Sequence, residues 1–241
     1  MIRQVIQRSA NAFGYKIVRT GGDIGKSIDV FGLLVQQRFT SCGRDAVVIQ
    51  IGANDGKSND PVGKYIDRYH WRGLLVEPHP KTFKKLVERY RGEDQVMFEN
   101  AAVGGIDGTM EFFCFREDPI VPEWASQLAS LRRDILMRHL SVVKHRKDLV
   151  TSIQVPVMTF STLLERHGVD RFDVLVIDTE GYDYEVLKSV DFRAHRPSIV
   201  FYEHSHLKGG DLGRARSLLA DAGYQLCSVG GDTIAYLEEG D

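Results

Sequence analysis

The chain has 241 residues, 43% hydrophobic and 27% charged, with a formal net charge of −2. That is long enough for one substantial α/β domain or two small ones, and it excludes a disordered or disulfide-stapled chain. The small net charge gives no global attraction to nucleic acid or to an acidic membrane.

The first segment, residues 1–45, reads as helical. Ile2, Val5 and Ile6, then Phe31, Leu34, Val35 and Phe39, can line apolar helix faces, with "RTGGDIGKS" between them. It is expected to form an accessory cap on the main domain, 46–241. Arginines interrupt its apolar residues, so it is neither a secretory signal nor a spanning helix. Cys42, Cys114 and Cys227 are scattered, without zinc spacing or a disulfide framework. They fit a reducing compartment, and the expected location is cytoplasmic.

From Val47 strands and helices alternate. "AVVIQIG" is a buried strand, "DPVGKYIDRYH" a helix with Asp60 as N-cap and Pro61 at its first position, and "GLLVEPH" a second strand. "PKTFKKLVERYRG" is a helix entered by proline and ended by glycine. "QVMFENAAVGG" is a third strand, and "GTMEFFCF" extends or edges the sheet. An insertion, about 116–150, carries one or two helices. "SIQVPVMT" and "FSTLLERHG" then resume as strand and helix. "RFDVLVIDTEG" is the strongest buried strand, followed by the helix "YDYEVLKSV", the strand "PSIVFYEH" and the helix "DLGRARSLLADAG". "YQLCSVGG" and "DTIAYLE" close as an antiparallel pair. This rhythm predicts an α/β fold with a mostly parallel, doubly wound sheet, whose ligands bind at the carboxyl ends of the strands.

The loop "GANDGKS" follows the first strand, and Gly52 and Gly56 permit close approach of a ligand. Glu77 ends the second strand, where the dinucleotide fingerprint places its ribose-binding acid. The loop lacks GxGxxG and the chain lacks a P-loop, so a cofactor with ribose and adenine but no phosphate fits better than NAD. S-adenosylmethionine is one.

"VVIQIGANDG", "GLLVEPHP", "NAAVGG" and "FDVLVIDTEGYDYEVLKSV", in this order and spacing, resemble the FkbM-type S-adenosylmethionine-dependent methyltransferases, over roughly Val47 to His204. The resemblance implies a Rossmann-like seven-stranded fold and methyl transfer to a hydroxyl of a sugar, glycolipid or secondary metabolite, with S-adenosylhomocysteine as product. It also implies roles. Gly52, Ala53, Asn54 and Gly56 would cradle the methionine end, and Glu77, with Pro78 beside it, would hold the ribose. Asn100 and Ala101 would border the adenine. Asp178 would sit near the transferring methyl, with Glu180 shaping the next turn. Many relatives carry an acid where this chain has Gln50, which can still hydrogen-bond the cofactor ammonium, without charge.

An alcohol acceptor needs a base or a metal. Asp178, Glu180, Glu203, His204 and His206 are the candidates, and His204 is the favoured base. A divalent metal held by the histidines with Asp178 and Glu203 ranks below a metal-free site. In the insertion, Arg132, Arg133, Arg138, Lys144, Arg146 and Lys147 read as a solvated face or as a lid that attracts an anionic acceptor or a membrane surface. Ser126, Gln127 and Ser130 could add polar contacts. The alternatives are a binding protein that has lost catalysis and an NAD-dependent enzyme.

Overall fold

A computed structural model describes residues 29–40 and 45–238. The chain divides into two compact units at Arg44. In the first, helix α1 (Val30–Val35) starts where the Asp29 carboxylate accepts the Gly32 N–H, and it runs into a π-helical turn over Gln36–Thr40. Phe31, Val35 and Phe39 form its buried stripe, as their four-residue spacing predicts. The expected helix through Ile2, Val5 and Ile6 lies outside the described residues.

The second unit runs β1 (Val47–Ile51), α2 (Gly63–Tyr69), β2 (Arg72–Val76), α3 (Pro80–Arg89), β3 (Val96–Glu99), β4 (Ala102–Val103) and β5 (Gly108–Phe115). It continues with β6 (Ala129–Ser130), α4 (Arg133–Arg138), β7 (Val150–Met158), α5 (Phe160–His167), β8 (Val174–Ile177), α6 (Asp183–Ser189), β9 (Ile199–Glu203), α7 (Asp211–Asp221), β10 (Gln225–Val229) and β11 (Asp232–Tyr236).

Seven strands form the main sheet in the order β10-β11-β9-β8-β1-β2-β3. From β3 to β9 every pair is parallel, whereas β11 runs antiparallel to both β9 and β10. The expected closing pair is therefore present. Parallel strands covered on both faces require continuous apolar runs. Val174–Ile177 is buried throughout, and β1 is buried from Val48 onward. Each such Val, Ile or Leu contributes about 1.5–3 kcal/mol. Phe160 and Leu163 of α5, Val186 and Leu187 of α6, and Leu219 of α7 join this core.

Two local expectations are corrected. Helix α2 starts at Gly63, not at Pro61. Asp60 accepts the Val62 N–H at 2.9 Å in a turn and does not cap the helix. "GTMEFFCF" and "SIQVPVMT" do not join the main sheet. They pair antiparallel as β5 and β7 in a separate four-stranded sheet of order β4-β7-β5-β6. The insertion between them is one short helix, α4, with three 3-10 turns around the strand β6. It has its own small core of Phe115, Leu128, Leu136, Leu140, Val143 and Leu149.

Candidate active site

The chain leaves β1 toward β2 and β3, then returns to lay β8 on the other side of β1. At this reversal the two strand exits diverge, and a cleft of about 910 Å³ opens at their carboxyl ends. Gly52 sits at its base with φ of +84°, and a Cβ there would lie 1.8 Å from the Asp178 carbonyl oxygen. Glycine is therefore demanded by the fold itself, before any ligand is considered.

The Gly52 and Ala53 N–H groups both donate to the Val76 carbonyl at 2.9 Å. Asn54, left-handed at φ of +50°, donates its N–H to Glu77 Oε2 at 3.0 Å, and the His79 N–H donates to Oε1 at 2.8 Å. Glu77 is 7% exposed, and burial pushes its carboxyl up to about 7 despite these two donors. Gln50, 3% exposed, donates from Nε2 to Asp60 Oδ1 at 3.3 Å. Its Oε1 is buried and accepts no hydrogen bond among the described residues, and neither does Asn54 Oδ1. An unmet buried acceptor costs about 1–3 kcal/mol, so these two atoms mark where ligand donors would complete the bonding.

The other wall is carboxylate-rich. Burial, with Glu203 and Asp232 nearby, pushes Asp178 up to about 7. Burial, with Glu203 next, pushes Glu180 up to about 9. Glu180 is itself left-handed at φ of +53°, and several bonds hold its turn. Asp183, fully buried, accepts the Thr179 N–H at 3.2 Å and the Gly181 N–H at 3.0 Å. From the insertion, Ser130 Oγ donates to the Glu180 carbonyl at 2.8 Å, and Arg132 Nη1 to the Gly181 carbonyl at 3.2 Å.

Of the residues expected from sequence, Gln50, Gly52, Ala53, Asn54, Glu77, Pro78, Ala101, Asp178 and Glu180 line the cleft. Gly56, Asn100 and His204 do not. A Cβ on Gly56 would meet Leu86 Cδ1 and Tyr90 Cε2, both at 2.8 Å, so this glycine lets α3 pack against the loop. The Asn100 amide donates to the Glu77 and Pro78 carbonyls at 2.7 and 3.1 Å, and so braces the exit of β2.

His204 was expected to share one face with His206 along an extended "YEHSH". Instead β9 ends at Glu203, and the His204 and Ser205 N–H groups both donate to the Gly231 carbonyl. His204 Nδ1 lies 2.9 Å from Thr233 Oγ1. The turn brings His206 into the cleft, with Nε2 3.1 Å from Glu180 Oε2 and 3.6 Å from Glu203 Oε1. His139 of the insertion stands edge-on to it, ring centres 5.4 Å apart. Sequence reasoning passed over His139, Trp124 and Asp232, which tertiary contacts alone bring to the cleft. Trp124, one of the chain's two tryptophans, was the signal the sequence offered, and the structure leaves it 59% exposed.

The basic run of the insertion does not face this cleft. Asp134 takes Arg132, Arg138 and Lys208, and Asp148 takes Arg116 and Arg146. The lining carries seven carboxylates against Lys57. The expected attraction of an anionic acceptor therefore has no cationic wall behind it. Gln127 lines the cleft and bridges to the loop, accepting from Asn54 Nδ2 at 3.4 Å and donating to Asp55 Oδ2 at 3.2 Å. Ser130 is buried away from it, and the Ser126 side chain lies outside the described residues.

Five parallel strands, an antiparallel β11 placed between β9 and β10, and a glycine loop with a strand-end acid at the reversal define a Rossmann-like methyltransferase fold. Residues 50–226 match the methyltransferase FkbM domain, and the chain belongs to that family. No curated protein matches it. Among solved structures it is similar to a methyltransferase FkbM from Methylobacillus flagellatus KT, at 15% identity and a TM-score of 0.49 over 80% of this chain and 43% of that one. The chain thus spans less than half of that relative. A precorrin-6y C5,15-methyltransferase from Geobacter metallireducens GS-15 aligns at 11% identity and a TM-score of 0.44, over 90% of this chain and 93% of that one. An RNA methyltransferase from Salinibacter ruber, in complex with S-adenosyl-L-homocysteine, aligns at 12% and 0.41, over 89% and 92%.

Proposed function

We propose that this protein is an S-adenosylmethionine-dependent O-methyltransferase acting on a hydroxyl of a sugar, glycolipid or secondary metabolite. The observation that carries the cofactor reading is Gln50 Oε1, buried at the cleft base without a donor among the described residues and beside the glycine loop. That atom suits the ammonium of the cofactor's methionine end. Asn54 Oδ1 offers a second acceptor, and Glu77 would take the ribose hydroxyls through the lone pairs its backbone donors leave free. Ala101 would border the adenine.

The cofactor supplies a methyl already activated by a sulfonium, so the protein's task is to orient the acceptor oxygen and remove its proton. Asp178, in the carboxylate-rich wall of the cleft, would take the acceptor's proton. Glu180, Glu203 and His206 would activate the acceptor hydroxyl, replacing His204 in that role. Trp124, exposed at the cleft, offers a flat apolar face on which a sugar or other ring would stack. The free thiols Cys114 and Cys227 suit a cytoplasmic location. Among the described residues no helix is long and apolar enough to cross a membrane.

Calorimetric titration with S-adenosylhomocysteine, beside NAD and repeated on Glu77→Ala, tests this reading. Micromolar binding of the former alone, weakened at least tenfold in the variant, is the expected result. Selective NAD binding would replace the reading with a dehydrogenase-type one. Methyl release over a panel of hydroxylated glycans then separates an enzyme from a cofactor-binding relic.

A further inference from the structure

Glu180, Glu203 and His206 place three potential ligand atoms within 4.8 Å of one another, at the carboxyl ends of β8 and β9. We infer that this triad is a divalent metal site, of the kind that takes Mn²⁺, and that the ion faces the acceptor. The role assigned to the ion rests on the methyltransferase reading, whereas the site itself does not.

The spacing is that of a coordination shell. Ligands at about 2.1–2.5 Å from an octahedral ion stand about 3.0–3.6 Å apart when adjacent. His206 Nε2 lies 3.1 Å from Glu180 Oε2 and 3.6 Å from Glu203 Oε1. The bonding around the triad is incomplete in the way a cation would complete. Glu180 Oε2 and Glu203 Oε2 are both buried and accept no hydrogen bond among the described residues. Neither carboxylate forms an ion pair with a lysine or arginine among those residues, and the charge partner beside each is the His206 imidazole. Two ionised carboxylates turned onto one point, with no lysine or arginine paired to either among the described residues, repel one another unless a positive ion joins them.

The surroundings hold the ligands in place. Ser205 donates to Glu203 Oε1 and leaves its other oxygen free. A Cβ on Gly181 would come within 3.2 Å of His206 Cβ, so this glycine gives the imidazole its seat. Ser130 and Asp183 fix the turn that carries Glu180. His139 Nε2, also buried and without a hydrogen-bond partner among the described residues, stands beside His206 and would receive a hydrogen bond from a metal-bound water.

Two carboxylates and one imidazole favour Mn²⁺ over calcium, and three protein ligands leave positions for water or acceptor oxygens. Glu180 and His206 line the cleft together with Asp178. A hydroxyl bound to the ion would be acidified and would pass its proton to Asp178.

The test is titration of the metal-free full chain with MnCl₂, followed by electron paramagnetic resonance and by calorimetry, without cofactor or acceptor. Wild type is expected to bind one Mn²⁺ saturably, and Glu203→Gln and His206→Gln to weaken it at least tenfold. Melting curves of both variants show whether they fold. S-adenosylhomocysteine affinity, read in the same samples, is expected to survive both changes. Absence of saturable binding in wild type overturns the site. Equal Mn²⁺ affinity in wild type and both folded variants also overturns it, since the ion would then lie elsewhere. Mn²⁺ binding without S-adenosylhomocysteine binding upholds the metal site and removes the methyltransferase role.

Discussion

Glu77→Gln separates the cost of burying a carboxyl at the cleft base from the service that carboxyl provides. Burial raises Glu77 from its ordinary 4.5 to about 7. Between those two values the folded chain keeps a proton that the unfolded chain has released, so stability falls as pH rises through the window. The full effect is about 3 kcal/mol. Glutamine carries no such proton and removes that slope. It also offers one acceptor oxygen where the carboxylate offered two, so either the Asn54 or the His79 N–H loses its partner, at about 1–3 kcal/mol. The variant should therefore be less stable than wild type near pH 5, and equal or more stable near pH 8. Urea unfolding of both proteins across that range measures the difference directly. Parallel stability curves would refute the burial argument, because the other raised carboxyls are common to both proteins and cancel. In the same variant, loss of a charge-assisted acceptor should weaken S-adenosylhomocysteine at least about tenfold by calorimetry.

Gly52→Ala must displace the Asp178 carbonyl or the loop, and should cost about 3 kcal/mol or more in chemical unfolding. Ser130→Ala leaves the Arg132 N–H without its acceptor and frees the Glu180 carbonyl; a loss of about 1–3 kcal/mol is expected, together with weaker Mn²⁺ binding. Trp124→Ala, at an exposed position, should change stability by no more than about 0.5 kcal/mol yet raise KM for any ring-bearing acceptor; an unchanged KM would remove the stacking role. His204→Ala should cost about 1 kcal/mol through its lost contact with Thr233, and leave Mn²⁺ and S-adenosylhomocysteine titrations unaltered.

The main sheet was legible because its signals are local. Apolar runs such as "VLVI", proline ahead of α3 and the glycines after α5 and α7 each declare an element without reference to distant residues. The glycine-loop side of the cleft was legible for the same reason, since Gln50 to Asn54 and Glu77 lie directly at strand ends. The second sheet was not. Alternation in "GTMEFFCF" shows a strand with one buried face, but Phe115 pairs with Val150 and Gly108 with Val157, across the whole insertion. No local pattern states that choice of partner. The histidines show the same limit. Spacing alone makes His204 and His206 equivalent, and the Gly231 carbonyl, from the turn between β10 and β11, decides which one reaches the cleft.

The pairing of Phe115 with Val150 has a further meaning for how such a protein can diversify. The ends of the stretch 116–149 sit opposite each other on adjacent strands, so the whole stretch is a loop on a hairpin with a core of its own. Lengthening or exchanging a loop whose ends are already fixed changes its closure entropy only slowly with length. Everything that stretch brings to the cleft, including Trp124, Gln127 and His139, travels as one cassette. The strands that carry Gln50, Glu77 and Asp178 stay untouched by the exchange. A graft of a foreign stretch between Phe115 and Val150 would thus change one wall of the cleft and conserve the other.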